Sequence, residues 1–295
     1  MTSTDPGLFG PHTVTWQLHA DPAMWVAGVS SLFLQALHPR AVAGVVQNSN
    51  FQQDPLGRLA RTANFVSLST YAPKAEVASA AAAVRRVHRS LRGTDPRTGE
   101  RFRVDDPDLL LWVHCAETWS FLDVVRRAGF PLTDAQADTY LDEQRRSATL
   151  VGLHADEIPG SVAAMLDYFA AVRPSLVRTA ESDVIYQFLH RPPVAAVLRP
   201  GVPVYRALVG HLAYSLLPGW AIEQYGRPAY RPSAATLLLR SLRTAALGVP
   251  ARLRWARPEP HALRAIDRLG RAATPSVRLL PPGQPGVRAR PPGTG

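Results

Sequence analysis

Cysteine is nearly absent from this chain of 295 residues, which contains only Cys115. A single thiol excludes an internal disulfide framework and every zinc or iron–sulfur site that needs several cysteines. It fits a reducing compartment. The sequence also lacks a basic segment followed by an apolar one near Met1, the pattern that begins a secretory signal. We therefore expect a cytoplasmic protein.

Several motifs of known enzyme and DNA-binding classes are also missing. The sequence contains no His-Glu-x-x-His, no Walker A motif, no G-x-G-x-x-G and no Glu-x-x-His pair of the di-iron type. It shows no helix-turn-helix pattern with a basic recognition helix. These absences argue against a zinc hydrolase, a nucleotide-binding protein, a di-iron bundle and a transcription factor.

Acidic residues are scarce at the C-terminal end. Residues 227–295 contain 13 arginines but only Glu259 and Asp267 as acids, whereas residues 1–226 have 20 basic and 21 acidic side chains. The formal net charge of +10 therefore belongs to the C-terminal region, and no nucleic-acid partner is predicted for the body. This basic region is interpreted either as a solubilising terminus or as a contact with nucleic acid or with an anionic membrane surface.

Alternating β patterns are rare, and helix signals are frequent. Aspartate followed by proline, a typical helix start, occurs at Asp21-Pro22, Asp54-Pro55 and Asp106-Pro107. Thr133 and Gln136 form a capping-box pattern. One short strand is expected at 101–104. We predict an all-α fold with a single multi-helix domain at 1–272 and a disordered Pro/Gly/Arg-rich tail at 273–295.

A polar face is predicted on the helix that begins near Asp54. Arg58, Arg61, Thr62 and Phe65 occur at i, i+3, i+4 and i+7 and so share one side of the helix. A buried arginine needs a charged or polar partner. The face is interpreted either as a set of structural ion pairs or as part of a functional site.

His88 lies on the apolar side of the next predicted helix. Val77, Ala81 and Val84 precede it at helical spacing, and the neighbouring run 80–83 is all alanine. An inward histidine beside small side chains leaves room for a flat prosthetic group such as haem. The alternative is a core histidine that is hydrogen-bonded to a backbone carbonyl.

Two further sets of polar residues fall on apolar helices. His114 and Glu117, at i and i+3, are expected to face inward, either as a structural pair or as a proton-transfer or metal-linked pair. Tyr205, His211 and Tyr214 lie near another apolar helix, where they are candidates to line a pocket.

The ordered motifs resemble a known oxygenase family. They are His38-Pro39, the segment Asp54-Pro55-x-x-Arg58-x-x-Arg61-Thr62, His88 before Gly93, and Leu111-Trp112-Val113-His114. Together they are similar to the family that contains bacterial rubber oxygenase (latex clearing protein) and fungal MpaB, over roughly residues 15–230.

The resemblance implies a globin-like helical core that binds haem b, with His88 as the proximal iron ligand. It places Arg58, Arg61 and Thr62 on the distal side as catalytic residues, and Arg58 is also a candidate partner of a haem propionate. Rubber oxygenase has lysine where this chain has Arg61, and it uses a glutamate upstream of the motif, whereas no glutamate precedes Leu59 here.

The implied function is a haem b-dependent oxygenase that activates O2 at a histidine-ligated iron and acts on an apolar, isoprenoid-like substrate. Two alternatives stay open. One is a non-catalytic helical protein that binds an apolar ligand without haem, and the other is a cofactor-free family member.

Overall fold

The computed structural model describes residues 5–48 and 55–276, except for the side chains of Pro55, Leu56 and Arg58. Its longer α-helices confirm the predicted all-α fold. They are α2 (Met24–Gln35), α3 (Pro39–Asn48), α4 (Pro55–Tyr71), α5 (Lys74–Ser90), α6 (Pro107–Arg127), α7 (Asp134–Val151), α8 (Val162–Val172), α9 (Ala180–His190), α12 (Gly219–Tyr225), α13 (Pro232–Leu247) and α15 (His261–Leu269).

Shorter elements connect these helices. The short α-helices are α1 (Val14–Leu18), α10 (Val202–Tyr205), α11 (Leu212–Ser215) and α14 (Ala251–Arg254). A π-helical segment, Arg206–His211, joins α10 to α11. The 3-10 turns are Ala155–Glu157, Arg173–Ser175, Ala196–Gly201 and Arg271–Ala273. The strands β1 (Arg92–Thr94) and β2 (Arg101–Arg103) pair antiparallel, which confirms the strand expected near Phe102.

Most of the predicted helix starts are confirmed. Asp106 accepts a hydrogen bond from the Asp108 amide at the start of α6, and Thr133 and Gln136 form both bonds of the capping box that begins α7. The helix α4 begins at Pro55, and Asp54 lies outside the described residues. Local sequence was sufficient here because a cap involves residues only two or three positions apart.

The predicted start at Asp21-Pro22 is wrong, because α2 begins at Met24. Asp21 is buried, and one carboxylate oxygen accepts from the Ala23 amide at 2.9 Å. The other oxygen pairs with Arg243 at 2.8 Å. Asp21 therefore forms a turn that is tied to α13, and this partner lies too far along the chain to be read from the local pattern.

The core is centred on α2 and α6, which pack along each other. Trp112 on α6 is fully buried, and its indole donates to the Gln35 carbonyl at 3.0 Å. The buried Tyr225 donates to the Phe33 carbonyl at 2.8 Å. Cys115 is buried among apolar side chains, as expected for a small hydrophobic residue. The polar atoms of these two buried aromatic side chains are thus satisfied by backbone carbonyls of α2.

The packed part of the chain extends beyond the boundary predicted at 272. Ala273 is buried, and its carbonyl accepts from the Trp16 indole at 2.9 Å. The Ser276 amide donates to the Gln17 side chain at 2.5 Å. Residues 273–276 therefore pack on α1, a contact that composition does not reveal. The remainder of the predicted tail, 277–295, lies outside the described residues.

Within the described ranges, no single helix is both long and apolar enough to cross a bilayer. The helices Met24–Gln35 and Pro39–Asn48 meet that length and composition only when taken together, and they are bent by 108° relative to each other.

Candidate active site

The helices α4 and α5 carry most of the predicted site residues. Only Ala72 and Pro73 separate the two helices, which contact each other. Arg61 lies ten residues before the end of α4, roughly 15 Å from the turn between the helices. His88 lies fourteen residues into α5, roughly 21 Å from the same turn. The helix α4 also packs on α15 and α5 also packs on α7, so both residues lie far from the turn on helices that have different further neighbours.

Arg61 and Thr62 are exposed, whereas Phe65 on the same face is half-buried. The side chain of Arg58 is not described, although its backbone continues α4. On α4, Asn64 is tied to α15, since its side-chain oxygen contacts the His261 imidazole at 2.9 Å. The structure therefore places Arg61 and Thr62 at the surface of α4, and their catalytic roles remain predictions.

His88 lies on the inward stripe of α5, as its spacing predicted. Val77 and Ala81 on this stripe are buried, while Val84 and His88 are half-buried. The Nδ1 atom of His88 is buried and has no hydrogen-bond partner among the described residues. Burial lowers the pKa of His88, and the charge of Asp105 opposes this only in part. The imidazole is therefore neutral at pH 7 and keeps a lone pair available as a ligand.

A backbone carbonyl as the partner of the His88 ring was the alternative expectation. Among the described residues no such hydrogen bond to this ring is formed. A buried polar atom without a partner is destabilising by roughly 1–3 kcal/mol, and native proteins contain few of them. The Nδ1 atom is therefore available to a water molecule or to a bound group.

His114 and Glu117 lie on one face of α6, deep in the protein. Burial lowers the pKa of His114 to about 4 and raises the pKa of Glu117 to about 7. Both side chains nevertheless keep some accessible surface, as does Leu110 one turn earlier. Their strong desolvation agrees with the prediction that the two polar residues face inward.

A buried hydrogen-bonded chain joins α4 to α7 and lies beside α6, where Phe121 packs against the His19 ring. His19, which follows α1, contacts the Thr70 hydroxyl at 2.8 Å through Nδ1 and the Tyr140 hydroxyl at 3.1 Å through Nε2. Burial lowers the pKa of His19 to about 3, so the ring is neutral. Burial also raises the pKa of Tyr140, and a smaller contribution comes from the charge of Glu117.

Sequence reasoning missed this chain of contacts, which joins His19, Thr70 and Tyr140. Thr70 lies 51 positions after His19 and Tyr140 lies 121 positions after it, so no local spacing connects the three residues. The one available signal was a histidine and a tyrosine among apolar neighbours, which is common in protein cores. The network ties the turn after α1 to both α4 and α7.

His211 lines a surface pocket of about 490 Å³, as the sequence suggested. The other lining residues are Arg191, Val202, Pro203, Arg206, Ala207 and Tyr230. Tyr205 and Tyr214 are not among them, so this pocket supports only His211 of the three candidate residues. In the part of the chain that the structure describes, no three His, Cys, Asp or Glu side chains are grouped to hold a metal ion.

The fold and the site together define a helical protein with a neutral, unpaired histidine and a desolvated carboxyl group inside its core. The catalytic-domain model of the family described as "ER-bound oxygenase mpaB/B'/Rubber oxygenase" matches residues 16–251 of this chain. The chain belongs to this family and carries its oxygenase catalytic domain. Comparisons with curated proteins and with solved structures found no match.

Proposed function

We propose that this protein is a haem b-dependent oxygenase that acts on an apolar, isoprenoid-like substrate. Its membership of an oxygenase family supports an oxidative reaction with O2 as co-substrate. When bound, haem supplies the iron at which O2 is activated. The observation that carries the haem assignment is the buried and unpaired Nδ1 of His88.

His88 fits the role of an iron ligand in three respects. Its ring is neutral because burial lowers its pKa, its Nδ1 atom has no partner within residues 5–48 and 55–276, and it lies on the inward side of α5. One histidine is sufficient for haem, because the porphyrin itself supplies the four equatorial nitrogens.

Arg58, Arg61 and Thr62 are proposed to act on the distal side. A guanidinium stays charged at any ordinary pH, so neither arginine is a proton-accepting base. Arg61 would instead stabilise negative charge electrostatically, and the Thr62 hydroxyl would donate a hydrogen bond. Arg58 would pair with a haem propionate. The exposed positions of Arg61 and Thr62 require that the distal side opens toward the surface of α4.

Glu117 is the residue best suited to hold a proton inside the protein. Its pKa of about 7 means that both protonation states are populated near neutral pH. His114, one turn earlier, stays neutral because its pKa is about 4. A desolvated face with one titrating carboxyl group and apolar neighbours such as Leu110 suits an apolar substrate that needs a proton donor.

The visible spectrum of the protein tests the haem assignment. Protein that is produced with a haem precursor should show a Soret band, and His88→Ala should lose it. The matched control is His154→Ala, because His154 is exposed in a loop and should keep the band. A colourless wild-type protein that takes up no added haemin would exclude haem and favour the alternative of a non-catalytic protein that binds an apolar ligand.

A second measurement tests the distal residues. If haem binds, Arg61→Ala and Thr62→Ala should keep the Soret band but slow the consumption of O2 in the presence of substrate. Unchanged O2 reactivity in both variants would show that these residues have no catalytic role.

A further inference from the structure

One long segment of the body contains no acidic residue. Between Asp183 and Glu223 the chain has neither aspartate nor glutamate, yet it contains Arg191, Arg199 and Arg206. All three arginines are exposed. Among the described residues none of them forms an ion pair, whereas the nearby Arg178 and Arg227 both pair with Asp183. This part of the surface therefore carries positive charge that the protein itself does not neutralise.

The same segment exposes large apolar side chains. Val197 is 83% exposed, Leu198 53% and Val204 59%, all within eight residues of chain. They lie on the 3-10 turn Ala196–Gly201 and on α10, both of which project from the end of α9. Single exposed apolar residues are ordinary, but a group of them beside basic residues marks an interaction surface. We name residues 191–206 the basic-apolar segment.

A pocket is built into the base of this segment. Arg191 and Arg206 line it together with His211 and the ring of Tyr230. The His211 ring packs against Tyr230 at 4.4 Å between centroids and contacts the His190 imidazole at 3.4 Å. The π-helical turn Arg206–His211 places Arg206 and His211 on this wall. Two arginine side chains at one pocket are well suited to an anionic phosphate group.

We propose that the basic-apolar segment docks on an anionic phospholipid surface. Val197, Leu198 and Val204 would enter the boundary between headgroups and acyl chains, and the arginines would contact lipid phosphates. The pocket between Arg191 and Arg206 would hold one phosphate headgroup. A nucleic acid would satisfy the arginines but not the three apolar side chains, so the membrane surface is the better match.

The charge and the apolar contact contribute in different ways. Each arginine near an anionic bilayer gives roughly a fivefold gain in affinity, which salt screens. The apolar side chains add a contribution that salt does not remove. This docking surface is separate from the basic C-terminal region, which the sequence alone suggested for membrane contact, and it does not depend on the presence of haem.

Vesicle flotation of the full-length protein tests the proposal. One set of vesicles is pure phosphatidylcholine, which has no net charge. The other contains about one third phosphatidylglycerol, whose headgroups carry a net negative charge. We expect strong binding to the anionic vesicles only. The double variant Val197→Asp/Leu198→Asp should bind at least about tenfold less at both low and high salt, because it removes the apolar contact.

The arginine variant separates the electrostatic part. Arg191→Glu/Arg206→Glu should reduce binding at low salt by more than about tenfold. The matched controls are Leu166→Asp, which changes a side chain that is 50% exposed on α8, and Arg89→Glu, which changes an exposed arginine on α5. Both controls should bind as wild type does. Far-UV circular dichroism and thermal unfolding establish that every variant is folded.

Three results would overturn the proposal. The first is the absence of binding to either vesicle. In the second, both segment variants still bind, but the replacement of Arg278, Arg288 and Arg290 by glutamine abolishes binding. That result would assign the contact to the C-terminal region. The third is equally tight binding to a short RNA that Val197→Asp/Leu198→Asp leaves unchanged, because it would assign the arginines to nucleic acid.

Discussion

Replacement of Glu117 by glutamine should make the protein more stable at alkaline pH than the wild type. Burial raises the pKa of this carboxyl group from an ordinary 4.5 to about 7 in the folded protein. The native state therefore binds more protons than the unfolded state between these two values. The stabilising contribution of the neutral carboxyl group is fully present below about pH 4.5 and is lost as the pH rises through about 7.

The magnitude follows from the size of the shift. Each pKa unit corresponds to about 1.4 kcal/mol, so the ionised Glu117 destabilises the fold by about 3 kcal/mol above pH 7. Most of this destabilisation develops between about pH 5 and pH 8, where the free energy of unfolding of wild type should fall by about 2 kcal/mol relative to that of the glutamine variant. Glutamine has nearly the same shape and does not ionise, so its own stability should lack this pH dependence.

Urea denaturation followed by circular dichroism measures the effect. At about 2 kcal/mol per molar, the midpoint of wild type should fall relative to that of Glu117→Gln by about 1 M between pH 5 and pH 8. Glu157→Gln is the control, since Glu157 is exposed, and it should follow wild type. Haem loading must be the same in all samples. Parallel pH profiles for wild type and Glu117→Gln would refute the conclusion that this carboxyl group is desolvated.

Two further predictions concern stability alone. Arg243→Ala removes the partner of the buried Asp21 and should lower the free energy of unfolding by about 3 kcal/mol, as measured by urea denaturation. The control Arg240→Ala changes an exposed arginine and should lower it by less than about 1 kcal/mol. Equal effects of the two substitutions would mean that the pair of Arg243 and Asp21 is dispensable. Gly210→Ala places a methyl group 2.7 Å from the Leu189 carbonyl oxygen and should lower the melting temperature. The control Gly28→Ala, in the middle of α2, meets no atom within 4 Å and should leave the melting temperature equal or higher. An unchanged melting temperature for Gly210→Ala would contradict the close packing of α9 on the π-helical turn.

Much of the fold could be predicted from the sequence. The starts of α6 and α7 follow from Asp106 and Thr133, and the position of His88 on the inward side of α5 follows from its spacing with Val77 and Ala81. The start of α2 was missed because Asp21 pairs with Arg243, more than two hundred residues away. Local patterns are informative where the stabilising contact is itself local.

The candidate site was predictable only in part. Spacing and the family motif selected His88, Arg58, Arg61 and Thr62, and spacing also put His114 and Glu117 on an inward face. The contacts of His19 with Thr70 and Tyr140 were not predictable, because no motif joins residues that far apart. Nor did the spacing of Arg61 and Thr62 show that both would be exposed, since both sides of α4 carry apolar residues.

The sequence by itself determined the helical class, several helix starts and the family, because helix periodicity, end caps and short motifs depend on neighbouring residues. The tertiary structure alone decided which polar groups are desolvated. Within the part of the chain that the structure describes, it left the Nδ1 of His88 without a partner, raised the pKa of Glu117, and exposed Val197 and Leu198 in a segment whose arginines form no ion pair. These properties depend on the distance between residues that are remote in the chain, and only the packing of the helices sets those distances.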